Sequence, residues 1–188
     1  MYQSIDEVRQ AYNRGERLEF LLFWGHTPEK GGGIGSPCLS QWWGCVFSEN
    51  GIEYTSAEQF MMAEKARLFN DGETLGQILD AHDPKAVKAL GRKVRNFDSN
   101  AWKASCQAIV KRGNYLKFSQ NADLMGFLLS TGEKILVEAS PFDRIWGIGM
   151  SKDDEFAGNP LKWRGQNLLG FSLMGARDDI RKKREIRL

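Results

Sequence analysis

Apolar positions return every three to four residues along most of this chain and bunch into short runs in only a few places. The three-to-four spacing predicts helices over 4–15 (Ile5, Val8 and Tyr12 on one face), 73–81, 85–94, 101–118, 121–130 and about 169–180. Ser4, with Glu7 three residues on, Ser99 and Asn121 read as N-caps, and Gly15 closes the first helix. The bunched runs are Leu18–Trp24, with the look of a buried strand, and Ile135–Ala139, a shorter strand carrying Glu138. Val46-Phe47 and Ile52–Tyr54 flank Asn50-Gly51, a strong turn signal, and read as a hairpin. At 188 residues the chain is most simply a single domain over 1–188, and these elements make it helix-rich, with a few short strands and a hairpin. Its core covers about residues 18–180, and 181–188 form a basic tail.

Tyr54–Phe69 reads as one further helix and is the most informative stretch. Thr55 or Ser56 supplies a capping oxygen, and Glu58 or Gln59 falls three residues later. Met61, Met62, Ala63, Ala66, Leu68 and Phe69 suit packing. Glu58 and Lys65 stand seven residues apart, so they lie nearly one above the other, about 10 Å apart along the axis. Two readings compete. Glu58 is the return arm of a capping box and Lys65 a solvated lysine, or an acid and an amine on a Met-rich face reach the two ends of one small substrate.

Between the elements, Thr27–Pro37 holds four glycines and two prolines in eleven residues and reads as a loop. It has neither Walker spacing nor the strand–GxGxxG–helix order of a phosphate cradle. Trp42 and Trp43 are adjacent, and both cannot face inward on a simple element. Ser140–Gly149 sets Asp143, Arg144 and Trp146 in a loop pinned by Pro141 and released by Gly147 and Gly149, an arrangement suited to binding. Glu138, in an apolar strand, is either an edge residue or a paired, functional one.

Charge and composition narrow this little. Twenty-six Lys and Arg against 24 Asp and Glu leave +2, too balanced to name a nucleic-acid binder from charge alone. The cations between Lys85 and Lys117 read either as the solvated sides of amphipathic helices or as a phosphate-facing patch, with Arg92 the position to test. No apolar run approaches the roughly 20 residues of a membrane span. The N-terminus lacks a signal-peptide pattern, and three cysteines are an odd number, so reduced thiols and a cytoplasmic setting are expected. Two scattered histidines do not suit zinc, and Cys38, Cys45 and His26 match no standard metal module. No cofactor or metal is expected.

Several segments together resemble the NADAR family, the YbiA-like N-glycosidases. They are Phe23-Trp24, Ser40-Gln41-Trp42, Tyr54–Phe60 with Lys65, Gly91-Arg92, Leu136–Ala139 with Asp143, Trp146-Gly147, and Asn167–Met174. The resemblance runs over about residues 20–178. It implies a compact α+β domain, without an obligatory metal, that hydrolyses the bond between ribose and an amine. Family substrates are ribosylamino-pyrimidine phosphates of early riboflavin synthesis and ADP-ribose on the amino group of guanine. By resemblance Glu58, Lys65 and Asp143 are catalytic, while Trp24, Ser40, Gln41, Trp42, Arg92, Glu138, Trp146, Gly147 and Asn167 bind substrate. The Gly31–Gly35 loop and the Cys38–Trp43 region depart from the shorter bacterial members, which bears on substrate choice more than on reaction type.

The residues suit that chemistry in their own right. A carboxylic acid protonates a leaving nitrogen, and a carboxylate steadies an oxocarbenium ion or activates water; Glu58 and Asp143 divide these roles. Lys65 offers a second route, a transient Schiff base at C1′, if desolvation lowers its pKa. Trp42 and Trp146 suit stacking on a base, and Arg92 with glycines 31–35 suit phosphates. The expected partner is a nucleotide-like small molecule or ADP-ribosylated nucleic acid, with removal of ADP-ribose from guanine leading. The rival classes are a non-catalytic ADP-ribose or NAD module and a nucleic-acid adaptor.

Overall fold

Ser4 accepts the Glu7 N–H at 3.3 Å and starts α1 (Ile5–Asn13), whose buried side is Val8 and Ala11. Gly15, at φ +76°, turns the chain away, as left-handed backbone at a helix end favours glycine. The computed structural model describes residues 2–28 and 31–186. Residues 29 and 30 of the glycine-rich loop, and the last two of the basic tail, lie outside them. After α1 come β1 (Phe20–Phe23), a 3₁₀ turn over Ser36–Leu39, β2 (Phe47–Glu49) and β3 (Ile52–Tyr54). Asn50 and Gly51 both take positive φ, which gives the tight hairpin turn expected between those two strands.

Four helices follow: α2 (Ala57–Leu68), α3 (Gly72–Asp80), α4 (Pro84–Gly91) and α5 (Ser99–Gln120). Then α6 (Ala122–Ser130) and β4 (Ile135–Glu138) lead through a long loop to α7 (Leu168–Glu185). The helix-rich α+β reading holds, and among the described residues there are one two-stranded parallel sheet, β1 with β4, and one two-stranded hairpin. Central to all of it is α2, which buries nearly every residue from Ala57 to Ala63 and touches α3, α4 and α5. On the far side α5 packs along α7, and α7 backs β4.

Three local expectations are corrected. β1 is fully buried only at Phe23, with Phe20, Leu21 and Leu22 half-buried, and among the described residues β4 is its one strand neighbour. The cap of α5 is Asp98, which accepts the Ala101 N–H at 2.7 Å, rather than Ser99. Asn121 makes no cap bond to α6; its amide donates to the carbonyls of Val46 and Lys117, tying the hairpin to the end of α5. The basic tail is helical through Glu185, and Arg181 within it pairs with Glu133. Among the described residues no helix is long and apolar enough to cross a membrane.

Candidate active site

Ser56 accepts the Gln59 N–H at 3.2 Å and starts α2, and Gln59 Oε1 returns to the Thr55 N–H at 2.8 Å. Gln59 is therefore the return arm of the capping box. Its amide nitrogen donates to the carbonyls of Ile78, Leu79 and Ala81, fixing α2 to the end of α3. Glu58 is left free of capping. Its backbone N–H donates to the Gln41 carbonyl at 2.9 Å, which lays the Ser40–Trp42 segment against the first turn of α2.

Two buried polar residues of α5 hold that segment from behind. Lys117 Nζ donates to the carbonyls of Cys38 and Ser40 at 2.7 and 2.8 Å, and Asn114 donates to Gln41 Oε1 at 2.8 Å. Lys117 is wholly buried, and burial pulls its pKa down to about 8. The basic patch read along 85–117 comes apart in three dimensions. Arg95 pairs with Asp71 and Glu73, Lys111 with Asp179, and Arg112 with Glu49 and Glu64. Lys88 and Arg92 instead line a cavity of about 930 Å³, within the size range of cofactor sites.

That cavity brings together ten of the twelve predicted site residues: Trp24, Ser40, Gln41, Trp42, Glu58, Lys65, Arg92, Glu138, Asp143 and Trp146. The other two stand behind its wall. Asn167 is fully buried at φ +56°; its Oδ1 accepts the Glu138 N–H and its amide donates to the Leu136 carbonyl. Gly147 is buried where a Cβ would lie 2.8 Å from the Glu138 carbonyl oxygen. Both are corrected from substrate contacts to supports of β4 and its loop. Glycines 31–35 are absent from the cavity lining, so the phosphate reading keeps Arg92 alone and adds Lys88. Sequence reasoning also missed Phe142, Trp102 and His26, which line the same space; the His26 and Trp42 rings lie 5.5 Å apart.

Three carboxyl groups and several cations share this cavity. Glu58 is 3% exposed and its Oε1 has no partner among the described residues. Burial pushes its carboxyl up to about 7, against the pull of Lys88, the Trp42 indole and Arg92. Glu138, the last residue of β4, likewise leaves Oε2 buried and unpartnered. Burial, and then Asp143, push it up to about 8. Asp143 Oδ1 accepts the N–H groups of Ile145 and Trp146 at 2.8 Å each, which shapes its own loop. Lys65 Nζ donates to the Gly91 carbonyl at 2.7 Å and sits 4.4 Å from the Phe97 ring centre, and burial lowers its pKa. Gly91 packs against Met62, where a Cβ would land on the Met62 side chain.

Buried unpaired acids cost stability and persist where function demands them. Carboxyl groups near neutrality beside stackable indoles can move a proton onto, and steady charge on, a bound nucleoside-like molecule. Among the described residues no three His, Cys, Asp or Glu side chains converge closely enough to hold a metal ion.

The NADAR domain family matches residues 22–181. An N-glycosidase of Acanthamoeba polyphaga mimivirus is 47% identical over 169 residues, covering 87% of this chain and 98% of the relative. An N-glycosidase of Nostoc punctiforme is 32% identical over 146 residues, covering 74% and 86%. The NMR structure of the E. coli protein YbiA shares the fold, with a TM-score of 0.69 over 89% of each chain at 20% identity.

Proposed function

The chain belongs to the NADAR domain family, and we propose that, as a hydrolase of N-glycosyl bonds, it cleaves the bond between ribose C1′ and an amine. The leading substrate is ADP-ribose attached to guanine, as a nucleotide or in nucleic acid. The observation that carries this reading is the pair of buried, unpartnered carboxyl oxygens of Glu58 and Glu138 in the cavity that also holds Asp143 and Lys65. An amine leaves ribose only when it is protonated or when C1′ gains cationic character, and acids held near neutrality serve both needs. Trp42 and Trp146 offer stacking faces for a base, and Lys88 and Arg92 offer charge for a phosphate.

Lys65 is the family's lysine by resemblance, and burial lowers its pKa, as the exchange route needs. A neutral amine keeps the donation to Gly91 and retains a lone pair for exchange into a Schiff base. Ribosylamino-pyrimidine phosphates are the second substrate class, and Arg92 in the cavity lining suits their single phosphate as well as a diphosphate. In a non-catalytic ADP-ribose module Lys65 would serve as a phosphate ligand, and tight ADP-ribose binding without turnover would select that reading.

The test is hydrolysis of ADP-ribosylated guanine DNA by purified protein. Wild type releases ADP-ribose, and Glu58→Gln and Lys65→Ala do not. Variants as fast as wild type would overturn the assignment of the site.

A further inference from the structure

Breaking a C1′–N bond sets two proton tasks, and the cavity holds three carboxyl groups to share them. Glu58 is nearly sealed; burial and Asp143 disfavour its ionised form, while Lys88, the Trp42 indole and Arg92 favour it. Asp143 has one oxygen committed to two backbone N–H groups of its own loop. Glu138 differs from both. It is half-buried, with Oε2 sealed and unpartnered while the residue still reaches the cavity surface.

The groups facing Glu138 are Glu58 from α2, Lys88 from α4 and Asp143 from the 140–149 loop; His26, Lys65, Arg92 and Arg144 line the same space. Two carboxylates against one near lysine, in a desolvated setting, hold a proton on Glu138. Its backbone is braced on both sides. The N–H donates to Asn167 Oδ1 at 2.9 Å, the carbonyl accepts the Ile148 N–H at 2.9 Å, and the residue is in parallel register with Phe23. A proton donor on a braced strand end reaches a fixed point with little reorganisation.

Resting on the N-glycosidase reading of this cavity, we infer that Glu138 is the acid that protonates the departing nitrogen, and that Glu58 is its basic counterpart. The Glu138 proton passes to the nitrogen as the C1′–N bond breaks and its electron pair moves to nitrogen. Water adds to C1′ and gives its proton to the Glu58 carboxylate; in the exchange route the Lys65 amine adds to C1′ first, and water then hydrolyses the sugar–lysine link and restores the amine. Glu58 then releases its proton to solvent and Glu138 takes one up, so that the net change is one water consumed and one amine released.

The experiment is a series of N-aryl ribosylamines whose leaving amines differ in basicity. With wild type the rate depends little on that basicity, because the enzyme supplies the proton. Glu138→Gln lowers kcat about 100-fold for the most basic amines and only a few-fold for the least basic, and removes the fall in rate above about pH 8. Glu138→Asp keeps a proton donor and therefore a shallow dependence at a reduced rate. A uniform loss across the series, a change confined to KM, or a steep dependence in Glu138→Asp overturns the assignment. Wild type inactive on every N-glycoside would overturn the hydrolase reading itself, before any variant is compared.

Discussion

Gln59 Oε1 accepts the Thr55 N–H at 2.8 Å, and this bond frees the neighbouring Glu58 from the cap of α2. The two side chains are adjacent in sequence and opposite in purpose. Gln59 makes every contact that a structural residue makes, while Glu58 is buried with an oxygen that bonds to nothing described.

The contrast predicts opposite responses to substitution. Glu58→Gln lowers N-glycoside hydrolysis about 100-fold or more, yet at pH 7.5 it leaves the melting temperature equal to or above that of wild type. Gln59→Ala removes the cap arm and three carbonyl partners and costs about 1–3 kcal/mol in urea unfolding. Loss of stability in Glu58→Gln would return that residue to a structural role.

This pair also shows what the chain discloses on its own. Local patterns placed the helices, the Asn50-Gly51 hairpin and the capping motif, because capping and turn chemistry act over three or four residues. Whether Glu58 or Gln59 served the cap depended on the carbonyls at the end of α3, which local spacing does not report. For the same reason Lys117 read as one more cation in a basic run. Its partners, the carbonyls of Cys38 and Ser40, come from another part of the chain. The parallel pairing of Phe23 with Glu138, which sets one cavity acid, is likewise invisible to periodicity. The ordered resemblance supplied most of the cavity residues. It did not separate those facing the cavity from Asn167 and Gly147 behind it.

Stability depends on pH in a direction set by Glu58 and Glu138. In the unfolded chain both ionise near the ordinary value of 4.5, whereas in the folded protein they hold their protons to about 7 and about 8. The folded state therefore binds more protons across that window. Their contribution to stability is complete below about 4.5 and is lost as pH rises through 7 to 8. Urea unfolding is expected to show wild type at least about 1 kcal/mol less stable at pH 8 than at pH 5. The double variant Glu58→Gln, Glu138→Gln flattens this slope, and an unchanged slope would contradict the protonated acids.

Lys117→Ala is expected to strip the Cys38 and Ser40 carbonyls of their donor and to cost about 2–4 kcal/mol in urea unfolding. The Ser40–Trp42 wall loosens with it, so KM rises. An unaltered KM in a folded variant would show that the wall holds without the lysine.

Gly165 fixes the Asp143 loop, because a Cβ there would land on the Gly147 carbonyl oxygen and lie 2.7 Å from Arg144 Cα. Both obstacles are backbone and cannot swing aside. Gly165→Ala is expected to cost about 3 kcal/mol or more and to abolish hydrolysis. A variant with wild-type melting temperature and activity would contradict the close packing of that loop.

Lys65 has its own test. Borohydride added during turnover is expected to fix the sugar on Lys65 if the exchange route operates, read as added mass on the peptide that carries it. An unmodified Lys65 during active turnover assigns the reaction to the acid and base pair instead.

The most direct measurement of the central claim is mass spectrometry of the products from a small panel: ADP-ribosylated guanine DNA, ribosylamino-pyrimidine phosphates and NAD. The account predicts a free amine or base together with a sugar hydroxylated at C1′ from at least one member, lost in Glu58→Gln. Tight ADP-ribose binding with no member of the panel cleaved would contradict it.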